Sequence, residues 1–123
     1  MNKYVEKIVI VLKNSGYKLG IISNILKPHT KYSKAKRWFK NFSPVILSCE
    51  VGLKKPDKRI YKLMLEKLRL NANECIYIDD RVKFLETAKK LGMKTILFQN
   101  ANQLRKELIN NGIRLKRWFD DKN

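Results

Sequence analysis

Three short stretches of this 123-residue sequence carry the side chains best suited to chemistry. Ser23 and Asn24 close an apolar run, Leu19-Gly20-Ile21-Ile22. Ser48 to Glu50 follow a second run, Val45-Ile46-Leu47, and lead into Val51-Gly52-Leu53-Lys54-Lys55-Pro56-Asp57. Asp79 and Asp80 end a third, Cys75-Ile76-Tyr77-Ile78. A hydroxyl, an amide, a lysine and paired carboxylates brought to one edge suit a phosphate and a Mg2+ ion. Lysine and serine would hold phosphate oxygens, while hard carboxylate oxygens would ligate the cation. Taken singly, each residue has an ordinary structural use. Ser23 can cap a turn, Lys55 can be a solvated lysine, and Asp80 can cap the helix that follows. Their shared position behind apolar runs, in this order, is what argues for a site.

The elements that must position them follow from hydrophobic spacing. Val5, Ile8 and Leu12 predict a helix over residues 2–14, stopped by Asn14-Ser15-Gly16. The runs at 19–22, 45–47, 75–78 and 94–98 are short and continuous, as strands covered on both faces are. Between them the pattern predicts a basic helix at 31–40 and a helix from Asp57 to Leu70 with Ile60, Leu63, Met64 and Leu68 on one face. Val82, Leu85, Ala88 and Leu91 mark another, stopped by Gly92, and Asn102 is the expected cap of a last helix running to Asn111-Gly112. Strands alternating with helices imply parallel βαβ units and an open α/β sheet. In such sheets ligands bind outside the carboxyl ends of the strands, which is where the chemistry-bearing residues stand. The expected division is a core over 1–112 and a basic, aromatic tail over 113–123.

Composition narrows the setting. Apolar runs such as Ile8–Leu12 are far shorter than the ~20 residues that span a bilayer. Glu6 and Lys7 interrupt any signal-peptide pattern at the start. Two cysteines, Cys49 and Cys75, are too few for a disulfide framework, so a reducing cytoplasm is expected. The formal net charge is +17, which favours weak, non-specific binding to polyanions. Aromatics stand among the cations at Lys31–Lys40 and again at Arg114–Phe119, the composition of a single-strand nucleic-acid surface. Against that, lysine outnumbers arginine 21 to 7. Coding bias accounts for such an excess, whereas dedicated phosphate readers lean on arginine.

The residues resemble a known family, the haloacid dehalogenase-like hydrolases. Gly16 to Asn24 looks like their second motif, and Gly52-Leu53-Lys54-Lys55-Pro56-Asp57, with Ile60-Tyr61 beyond, like their third. Cys75 to Asp80, with Ala88, Leu91-Gly92-Met93 and Thr95 to Phe98 following, looks like the fourth motif and the strand after it. The likeness implies a three-layer, Rossmann-like parallel sheet and Mg2+-dependent phosphomonoester hydrolysis of a phosphorylated small molecule. By that likeness Ser23, Asn24 and Lys55 contact phosphate, Lys55 also neutralising the nucleophile. Asp80 ligates Mg2+ with Asp79 in support, and Lys54 is the weaker choice for the lysine.

One departure decides the expected activity. Members of the family carry an Asp-x-Asp pair on their first strand, upstream of the second motif. Its first Asp attacks phosphorus and its second is the general acid and base. By similarity this chain begins at the helix leading into the second motif, with the central strand and the cap domain missing. Its aspartates, Asp57, Asp79, Asp80, Asp120 and Asp121, form no such pair. The isolated chain is therefore expected to be inactive, Lys55 being the sole catalytic side chain left. A split-gene fragment, a half completed by a second polypeptide supplying the strand and nucleophile, and a non-catalytic binding protein all fit. So does a basic nucleic-acid-associated module, from a different functional class. Arg81 is expected to compete with metal for Asp79 or Asp80, and Phe84 stands where Asn or Asp is frequent in relatives. Residues 19–22 and 75–78 are expected either to pair directly or to accept a strand from another chain.

Overall fold

The computed structural model describes residues 2–25 and 39–115. Helix α1 (Lys3–Asn14) is capped by Asn2, whose side chain accepts the amides of Tyr4 and Val5, and it buries Ile8, Val9 and Leu12. Strand β1 (Ile21–Ser23) pairs in parallel with β2 (Val45–Leu47), Ile21 opposite Val45 and Ser23 opposite Leu47. A short helix α2 (Ser48–Val51) leads to Gly52, whose φ of 71° needs a residue without a Cβ. Helix α3 (Lys58–Leu68), capped by Asp57, precedes β3 (Ile76–Asp79). Helix α4 (Val82–Lys90) and β4 (Lys94–Leu97) follow, β4 lying parallel to β3, and α5 (Ala101–Asn110) comes last.

The α/β class and the parallel pairings are those the spacing predicts. Three details differ. Asn100, rather than Asn102, caps α5, because Gln103 stands three residues on and completes a capping box. Helix α2 is a single turn, too short to show a period in sequence. The direct pairing of 19–22 with 75–78 is not formed, since β1–β2 and β3–β4 are separate two-stranded sheets. The expected helix at 31–40 lies mostly outside the described residues.

Two apolar layers flank the strands. On one side Ile8 and Leu12 of α1 meet Leu104 and Leu108 of α5 over Ile96. Leu115 is buried in this cluster and Ile113 packs on it, so the chain through residue 115 belongs to the packed unit. The rest of the basic tail lies outside the described residues. On the other side Ile60, Tyr61 and Met64 of α3 pack with Ile46, Ala88 and Met93. No helix among the described residues is long and apolar enough to cross a membrane.

Tyr61 is fully buried, and its hydroxyl donates to the Phe84 carbonyl at 2.7 Å, tying α3 to α4. Burial pushes its phenol up to about 12, so it remains a neutral donor. Tyr61→Phe keeps the ring and deletes the hydroxyl with its bond to the Phe84 carbonyl. It is expected to cost about 1 kcal/mol, read in urea as a lower midpoint at unchanged slope.

Candidate active site

The site is assembled by contacts between distant segments. Ser23 ends β1, half-buried, with no side-chain hydrogen bond among the described residues. Asn24 is used as a clamp. Its amide nitrogen donates to the Lys55 carbonyl at 3.1 Å, and its oxygen accepts the Lys55 amide at 2.9 Å. Both ends of one side chain thus bind the main chain of a residue 31 positions away, which fixes where the lysine emerges. On the other flank the Thr87 hydroxyl donates to the Pro56 carbonyl at 2.9 Å. The Lys55 loop is therefore held by the residue after β1 on one flank and by α4 on the other.

The Lys55 ammonium lies 3.0 Å from Asp79 Oδ2, with side-chain exposures of 11% and 9%. It also stands 4.9 Å from the centre of the Phe84 ring, close enough for a cation–π contact. Asp79 Oδ2 accepts a second bond from the Tyr77 hydroxyl at 2.6 Å, and Oδ1 accepts the Arg81 amide at 3.1 Å. Burial pushes the Asp79 carboxyl up, but the Tyr77 and Lys55 donors outweigh it and hold the group below the usual carboxylate range. Tyr77 is driven well above an ordinary phenol, first by burial and then by Asp79. At neutral pH the cluster is an anion between two fixed donors. An ammonium has three N–H groups, so Lys55 keeps two for an arriving ligand.

Asp80 is exposed beside this cluster, with no side-chain partner among the described residues. It does not cap α4, whose N-cap position is Arg81 with no side-chain cap bond. Lys54 is exposed and makes no ion pair among the described residues. Arg81 does not pair with either carboxylate through its guanidinium, which instead lies 5.0 Å from the Phe84 ring centre. The expected competition with metal is thus absent, and Phe84 supports two cations. Its aromatic identity explains the placement of both.

Tyr77 is the participant that sequence reasoning missed. Its signal was available, because residues two apart on a strand share a face and Tyr77 therefore stands beside Asp79. Metal fit follows from the donor set. No group of three or more His, Cys, Asp or Glu side chains gathers among the described residues. Mg2+ takes one or two carboxylates and fills its octahedron with water and phosphate oxygens, which the exposed Asp80 carboxylate suits, with Asp79 beside it in support.

The sequence profile of the haloacid dehalogenase-like hydrolases matches residues 2–98. This chain belongs to that family. Among curated relatives it is 43% identical over 68 residues to the bifunctional epoxide hydrolase 2 of Sus scrofa, a match covering 55% of this chain and 12% of the relative. It is 34% identical over 103 residues to the glyceraldehyde 3-phosphate phosphatase of Pyrococcus abyssi, covering 76% of this chain and 40% of the relative. The chain spans less than half the length of these curated relatives. A haloacid dehalogenase-like enzyme of Bacteroides thetaiotaomicron, solved with magnesium and inorganic phosphate, superposes with a TM-score of 0.71. That match covers 80% of this chain and 53% of the other at 21% identity, so it shows the shared fold alone.

Proposed function

We propose that this chain carries the phosphate- and magnesium-binding part of a phosphomonoester hydrolase site for a phosphorylated small molecule. The observation that carries the reading is the Asn24–Lys55–Asp79 chain of contacts, which fixes a lysine ammonium against the Asp79 carboxylate at the end of β3. Lys55 donates to a phosphate oxygen with the N–H groups that Asp79 leaves free, and the Ser23 hydroxyl donates to another. Asn24 serves by clamping the Lys55 main chain. Asp80 ligates Mg2+ and Asp79 supports it from behind, oriented by Tyr77. When bound, the ion neutralises phosphate charge and leaves the phosphorus open to attack. The sequence holds no Asp-x-Asp pair. We assign the attacking carboxylate to a segment outside these 123 residues, so that they bind by themselves without turnover.

Calorimetry with inorganic phosphate tests the binding half directly. Phosphate is expected to bind weakly in Mg2+ and more weakly without it. At ~100 times Kd the linked stabilisation is about 2.7 kcal/mol. Lys55→Ala removes a charge-assisted donor worth about 1.5–3 kcal/mol, hence roughly tenfold or more in affinity. Asp80→Ala should abolish the Mg2+ dependence and leave the fold intact. Phosphate binding unchanged in both variants would overturn the reading.

A further inference from the structure

Arg81 is the cation at this edge to which the proposed function gives no part. Two contacts fix it. Its main-chain amide donates to Asp79 Oδ1 at 3.1 Å, and its guanidinium lies 5.0 Å from the centre of the Phe84 ring. Lys55 is held by the same two groups, at 3.0 Å from Asp79 Oδ2 and 4.9 Å from the same ring centre. Asp79, Lys55, Phe84 and Arg81 therefore close a ring of contacts. The ammonium and the guanidinium stand no more than about 10 Å apart, since each lies about half that from one ring centre.

The two cations differ in what they have left to give. Lys55 is largely buried and donates one N–H to Asp79. Arg81 is exposed, and its guanidinium makes no ion pair or hydrogen bond among the described residues. An aromatic ring attracts a cation without consuming an N–H. The whole guanidinium fork, with its five N–H groups, therefore remains for an acidic ligand. Arginine is also the less expected cation in a chain of 21 lysines and 7 arginines. Lysine would supply charge alone, whereas the planar fork suits an oxyanion that offers two oxygens. A phosphate on Lys55 and Ser23 thus has a second, unpaired cation within reach of a short side arm. A two-carbon spacer with a charge-assisted hydrogen bond at each end spans such a distance.

We infer that Arg81 is a specificity-determining residue that takes a second acidic group, carboxylate or phosphate, of the phosphorylated small molecule. The substrate class is then a phosphomonoester with a second anion a short carbon chain away from its phosphate. The inference rests on the proposed phosphate site and adds which esters that site prefers. Its probes are three phosphonates that cannot be hydrolysed: phosphonopropionate, ethylenediphosphonate and the neutral amide of phosphonopropionate.

Calorimetry on the full chain reads the preference. Each diacid is expected to bind ~10-fold tighter than the amide, and the tighter of the two names the second group. The preference should shrink as salt is raised, because Arg81 is exposed. Arg81→Gln, an exposed change that keeps the main-chain bond to Asp79, should bring the three ligands to nearly equal affinity. Arg81→Lys keeps the charge without the fork and should retain only part of the preference. The titrations are run without Mg2+ and then with it. An acidic group bound by the ion keeps its advantage in Arg81→Gln, and one bound by Arg81 loses it. A preference that survives in Arg81→Gln would overturn the inference, as would equal binding of diacids and amide by the unaltered chain. So would an equal loss for all three ligands in Arg81→Gln, which would put Arg81 on the phosphate itself. Failure of all three to bind the unaltered chain would overturn the proposed function and this inference with it.

Discussion

Incubated with p-nitrophenyl phosphate and Mg2+, the 123-residue chain is expected to release no more nitrophenol than buffer does. Phosphate ester hydrolysis draws on two separable contributions. In the proposed site Lys55 and Ser23 supply charge and donors, and aligned donors alone are worth roughly 10^2–10^3 in rate. The remainder of an ordinary enhancement, ~10^6 or more, needs a nucleophile placed in line with the leaving group. Asp79 cannot take that role in this arrangement. Its Oδ2 is occupied by Lys55 and Tyr77, and Oδ1 by the Arg81 amide. Asp80 is exposed, and a solvated carboxylate is poorly placed for in-line attack. Steady turnover that vanishes in Asp80→Ala would mean that the chain holds its own nucleophile.

The second large effect concerns stability rather than rate. Asp79→Ala is expected to destabilise the fold by about 3 kcal/mol, since it strands a largely buried ammonium and the Tyr77 hydroxyl without their common acceptor. Asp80→Ala, one residue on, should stay within about 0.5 kcal/mol, as exposed substitutions do. Urea unfolding of the two variants separates the roles of adjacent carboxylates. A pH series checks the same pair. The Asp79 carboxyl is held below its ordinary value in the folded chain. Its contribution is therefore fully present above the unfolded value of about 3.9 and is lost as pH falls through the lower folded value. Asp79→Ala should flatten that acid limb. Equal losses in both variants would refute the division of labour.

Much of this was legible in the residues themselves. The four runs announced the strands because apolar side chains predominate where helical layers pack on parallel strands. Asn14-Ser15-Gly16 and Gly92 marked helix stops by local backbone chemistry. The site was legible as composition and order, since the ends of parallel strands fall at one edge. What spacing could not show was how the polar atoms divide among partners. Asn24 read as a phosphate contact, yet both ends of its amide go to the Lys55 main chain, a pairing across 31 positions. Arg81 read as a competitor for metal, but Phe84 draws its guanidinium away. Such outcomes depend on side-chain direction in three dimensions. The number of ladders was also illegible, because the strand runs specify burial and not which edges meet.

The two ladders share no backbone hydrogen bond among the described residues. Cooperativity between the halves must therefore travel through side chains: Lys18 to the Leu68 carbonyl, Asn24 to Lys55, Lys55 to Asp79, Thr87 to Pro56 and Tyr61 to Phe84. Most of these ties converge on the segment 54–61, so that loop and the start of α3 act as the hinge pin of the unit. Sub-global opening is expected to divide the protein there, with the β1–β2 amides and the β3–β4 amides exchanging as two separate cooperative blocks. A single tie weakened in that segment would change how strongly one half senses the unfolding of the other, without altering either ladder.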